Sequence, residues 1–124
     1  MPSGGFAAAW VSDQQQDAKS LDVVLRVFSA TGPVLTGEVI VSPVGISANP
    51  MLAVSGESLV VAWEQLDLEQ KINRWDIGAR SFDFNLKPLS EPVLANLHRK
   101  GDQFAPQLQG GADGAMMVWS SLGQ

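Results

Sequence analysis

Apolar residues in this chain come in short runs, each closed by polar or turn-forming residues, and the runs repeat. "GFAAAWVS" (5–12), "SLVVAWEQ" (58–65) and "GAMMVWSS" (114–121) are near-copies, with Trp10, Trp63 and Trp119 spaced by 53 and 56 residues. The following segment aligns too, "LDVVLRVFSATGPV" (21–34) over "WDIGARSFDFNLKP" (75–88). Asp22 then falls on Asp76, Arg26 on Arg80 and Phe28 on Phe82. "GEVIVS" (37–42) falls on "EPVLAN" (91–96), and "NPMLAV" (49–54) on "APQLQG" (105–110), which pairs Pro50 with Pro106. Four segments recur in one order at a nearly constant interval, the signature of a repeat architecture.

Each segment is short and rich in Val, Leu, Phe and Trp, and Gly, Asn or Pro stands between segments, so the pattern predicts strands joined by tight turns. In "QQQDAKSLDVVLRVFS", Leu21, Val24, Leu25 and Phe28 also fit helical spacing. The second copy carries Gly78 in the middle and has no matching stripe, whereas alternation of Val23, Leu25 and Val27 suits both copies. "LVVAW" does not alternate, which predicts a strand buried on both faces. A four-stranded antiparallel unit with such a strand inside it covers its faces by stacking on further copies, and similar sheets stacked about an axis form a β-propeller.

The fold class expected is therefore all-β: antiparallel four-stranded blades of a β-propeller, about two blades per chain. Residues 1–48 read as a partial blade holding the second to fourth strands. Residues 49–101 read as a complete blade, and 102–124 as a partial blade with the first and second strands. Closure of a propeller takes roughly four blades or more. The ring is thus expected either to close by oligomerisation, three two-bladed chains making six blades, or to be truncated from a longer propeller.

Composition narrows the function classes. A net charge of −5 and a pI near 4.6 leave no basic face for phosphates, so neither nucleic acid nor an anionic membrane surface is an expected partner. No apolar run approaches the roughly 20 residues of a bilayer span, so no membrane insertion is expected. With no cysteine and a single histidine, His98, neither a common first-row metal site nor any cofactor is expected. The "MPSGGFAAAW" start lacks a basic secretory leader.

The run "VVAWEQ" (60–65), "DIGARSFD" (76–83) and the weaker "DVVLRVFS" (22–29) resemble the repeats, about fifty residues long, of large bacterial secreted and surface proteins. The resemblance spans nearly the whole chain. It implies propeller blades and an extracellular or cell-surface setting, and it implies no activity. The usual Gly-Asp-rich connection is here "DQQQDAKS" and "LDLEQKIN", which weakens any calcium role.

Candidate chemistry is sparse. Trp10, Trp63 and Trp119 are expected to fill space between blades, while Trp75, in a polar stretch, is the expected ligand contact. Arg26 and Arg80 repeat with Phe28 and Phe82, which favours stacked or paired guanidinium groups over a catalytic role. Carboxylates at Asp13, Asp17, Glu64, Asp67 and Glu69 form no calcium-loop motif. The expected function is a non-catalytic propeller module: a rigid scaffold and binding surface for carbohydrate or protein that self-associates through its blade faces. The alternatives are a propeller glycosidase using loop carboxylates and a purely structural adhesin repeat.

Overall fold

The computed structural model describes residues 4–13, 20–42, 45–67, 74–95 and 102–122. Among these there is no helix. Nine strands form: β1 (Phe6–Asp13), β2 (Leu21–Phe28), β3 (Val39–Ile40), β4 (Ser47–Ser55), β5 (Ser58–Asp67), β6 (Arg74–Asp83), β7 (Val93–Leu94), β8 (Asp102–Gly110) and β9 (Ala115–Leu122). They pair as three antiparallel sheets in the orders β1-β2-β3, β4-β5-β6-β7 and β8-β9. The stretch 21–28, open on spacing alone to a helical reading, is a strand because its alternate side chains are needed on two faces. Val23, Leu25 and Val27 enter the core on one side, and Val24, opposite Trp10 in register, is buried on the other.

The core lies between the first two sheets. Val23, Leu25, Val27 and Val41 of the first meet Leu59, Val61, Trp63, Phe82 and Leu86 of the second. Trp63 is fully buried, and its cross-strand partner is Gly78. A Cβ at Gly78 would lie 2.4 Å from indole Cε2 and 2.5 Å from Nε1, so the missing side chain is the space into which the indole folds.

The turns after β2 and β6 share one geometry. The Ser29 amide donates to Pro33 O at 2.8 Å, and the Asp83 amide donates to Lys87 O at 3.0 Å. Both loops reach positive φ at the same place: Gly32 (φ 104°) in one and Leu86 (φ 63°) in the other. Leucine there carries backbone strain on the order of 1 kcal/mol or more. Its side chain is only 5 % exposed within the core, and such burial stabilises by about 1.5–3 kcal/mol, enough to offset that strain.

Among the described residues, the segments 37–42 and 91–96 form ladder pairs with their neighbours at Val39–Ile40 and Val93–Leu94, more briefly than their length predicts. Beyond them backbone bonds alternate with hydroxyl acceptors: the Val41 amide donates to Val23 O and the Ala95 amide to Ile77 O, both at 2.8 Å. Thr36 Oγ1 accepts from the Val27 amide at 3.0 Å, and Ser90 Oγ accepts from the Ser81 amide at 3.1 Å.

The third sheet covers the other side of the second. Glu64 shares a face with Ala62, Ile77 and Ala79, opposite to that of Val61 and Trp63. This second face packs against β8. At one end the hairpin tips interlock. The Gly56 amide donates to Gly111 O at 2.9 Å, and a Cβ at Gly110 would overlap Val54 O, at 1.6 Å.

Burial of the three repeated apolar strands is unequal. β5 is buried on both faces, β1 is mostly half-buried, and β9 leaves Met116 72 % and Val118 60 % exposed. The difference follows from position, since β5 has neighbours on both edges whereas β1 and β9 stand at the edges of their sheets.

Candidate functional site

The second and third sheets meet at a pair of matched kinks. β4 shifts register between Ala48 and Met51, and β8 does so between Phe104 and Gln107. In each case the extra residue has positive φ and precedes a proline: Asn49 (φ 50°) before Pro50, and Ala105 (φ 54°) before Pro106. Proline cannot donate to a ladder and is accommodated at bulges, so the repeated Pro50 and Pro106 mark where both strands bend.

One carboxylate ties the two kinks together. Glu64, 8 % exposed, accepts at Oε2 from Asn49 Nδ2 at 2.7 Å and from the Ala105 amide at 3.2 Å. A bulge frees backbone donors from the ladder, and a charged acceptor satisfies one of them here, with strength above that of a neutral bond. Around it lies a cleft of about 310 Å³ lined by Asn49, Pro50, Met51, Glu64, Ala105, Pro106 and Gln107. A carboxylate, two amides and an apolar proline–methionine wall favour a ligand with hydroxyl or ammonium donors beside a nonpolar surface. A second cavity, about 410 Å³, lies along the β8–β9 hairpin against Gln109, Gly110, Gly111, Gly114, Ala115 and Met116.

Trp75 is half-buried at the start of β6, opposite Leu66. Strand alternation puts it on the same face as Ile77, the register partner of Glu64. It is not among the residues walling the cleft, and it stands two register pairs along the β5–β6 ladder from Glu64.

The repeated tryptophans differ in exposure. Trp63 is fully buried with Nε1 donating to Gln65 Oε1 at 2.9 Å, Trp10 is half-buried, and Trp119 is 36 % exposed with Nε1 donating to Gln103 Oε1 at 3.0 Å. The two glutamines sit on opposite strands of their ladders. Gln65 faces Ser47, whereas Gln103 faces Ser121.

Arg26 and Arg80 act on equivalent backbone. Arg26 Nε donates to Thr36 O and Arg80 Nε to Ser90 O, both at 3.0 Å. The Arg80 guanidinium also lies 5.4 Å from the centre of the Phe82 ring and donates from Nη1 to Val41 O of the first sheet at 3.5 Å. Phe28 stacks on Phe6, with ring centres 4.9 Å apart and planes 9° from parallel.

Asp17, Glu69 and His98 lie outside the described residues, as do most of "DQQQDAKS" and "LDLEQKIN". Among the described residues no three His, Asp or Glu side chains are grouped to hold a metal ion. Asn49 and Ala105 escaped the sequence reading, although a proline recurring inside an otherwise strand-like segment is the signal of a bulge. No protein-family model, curated protein or solved structure matches the chain.

Proposed function

We propose that the chain is a non-catalytic β-propeller repeat module, with about two blades of antiparallel sheet per chain. Its ring is closed by further copies or by the rest of a longer propeller. The module serves as a rigid scaffold whose inter-sheet cleft and the Trp75 face offer a binding surface to carbohydrate or protein, in an extracellular or cell-surface setting. One observation carries this reading. Three sheets of one repeated design stack face to face, and each end sheet holds part of the strand set of the four-stranded one, the second strand being present in both. A module of this kind buries its remaining apolar surface against more of itself, because soluble monomers rarely leave such faces open.

Light scattering at micromolar concentration tests the scaffold, with an oligomer expected and a trimer matching six blades. A stable monomer across that range overturns it. A glycan array run with the parent chain and with Trp75→Ala tests the surface. Signal lost in the variant supports a carbohydrate site beside Trp75, and signal unchanged moves the contact elsewhere.

A further inference from the structure

We propose that β8 of one copy pairs with the open edge of β1 in a second copy and takes there the place that β4 holds beside β5. This rests on the stacked-repeat reading and specifies its junction. In the four-stranded sheet β5 lies between β4 and β6, while its counterpart β1 has β2 on one side and, among the described residues, no strand on the other. The strand that fits this edge exists once more in the chain. β8 repeats β4 down to its bulge, its positive-φ residue and its following proline. In its own chain β8 packs on the face of the second sheet opposite to the one covered by the first sheet, so it reaches a β1 edge only in another molecule.

The edges themselves point the same way. The outer strands β3 and β7 are two residues long, a common means of blunting a sheet edge. β1 and β9 run for eight residues, "FAAAWVSD" and "AMMVWSSL", without proline or lysine. Such an undefended edge is a template for strand addition. β9 is the strand to be displaced, since it occupies beside β8 the position that β1 would take and is the more exposed of the two. The β4–β5 ladder fixes the register. Leu52 opposite Val61 becomes Leu108 of one copy opposite Ala8 of the next, and Met51 opposite Ala62 becomes Gln107 opposite Ala9. The contact is head-to-tail, so it propagates to a ring or a filament.

The chain has no cysteine, which makes cross-linking clean. An equimolar mixture of Ala8→Cys and Leu108→Cys chains, each checked for parent-like circular dichroism, is oxidised. Mixed disulfide dimers several-fold in excess of either homodimer are the expected result. The competing exchange, β9 of one copy replacing β1 of the next, places Met117 opposite Arg26. Cross-linking confined to an Arg26→Cys and Met117→Cys mixture overturns the proposal. So does an oligomer that links in neither mixture, which leaves the stacked-repeat reading standing. A monomer by light scattering overturns both. Hydrogen exchange on the unmodified chain gives a second measurement: raising concentration protects Ala7–Ala9 amides and deprotects Met116–Val118, and the opposite pattern refutes the exchange.

Discussion

Gly78→Ala is the sharpest probe of how the core is built. The added methyl would sit 2.4, 2.5 and 2.6 Å from three atoms of the Trp63 indole, where carbon atoms ordinarily rest about 3.5–4.0 Å apart. The ring has little room to yield, being fully buried with its N–H held by Gln65. Overpacking of this kind costs about 1–3 kcal/mol. Against it, alanine in a strand interior regains about 0.5–1 kcal/mol of backbone entropy relative to glycine. The clash wins, and a net loss of about 1–2 kcal/mol lowers the thermal midpoint by roughly 3–10 °C for a domain of this size. Calorimetry at one fixed protein concentration measures it, because association shifts the midpoint by mass action. In a Trp63→Leu background the same alanine should be neutral or stabilising, giving a coupling of about 1–3 kcal/mol. A Gly78→Ala chain as stable as the parent would refute the packing argument.

Glu64→Ala strands the Ala105 amide and the Asn49 side chain and should lower stability by about 1–3 kcal/mol in urea titration, with Glu64→Gln losing less because its amide oxygen still accepts. Gly110→Ala collides with Val54 O, so the β8–β9 tip should lift from the β4–β5 turn, seen as faster exchange of the Gly56 amide. Gln65→Ala leaves the Trp63 N–H without its acceptor in the core, and a cost of about 1–2 kcal/mol is expected by chemical denaturation.

The strands were legible because their apolar runs recur with turn residues between them, and because Gly78 ruled out a helix for the third segment. The double burial of "LVVAW" was legible too, and it holds in β5, where neighbours flank both edges. It does not hold for Trp119 or Met116, because burial depends on which strands lie alongside, and no residue of β9 encodes that. The candidate site was half legible. Pro50 and Pro106 announced a repeated position, yet the kink they mark becomes a cleft only when Glu64, on a neighbouring strand, is brought between Asn49 and Ala105. That meeting depends on how two sheets stack. The positive φ of Leu86 was hidden for the opposite reason, since Asn85 beside it looks the better turn residue. The core's need for a side chain outweighs the local preference.

The glutamines that cap Trp63 and Trp119 have traded places with serine across their ladders. An indole N–H requires an oxygen within reach and is indifferent to which backbone delivers it. Drift between duplicated units can therefore run through paired exchanges that leave the chemistry intact while a column-by-column comparison scores two mismatches. Copies of such a unit will look more distantly related than their three-dimensional interiors are.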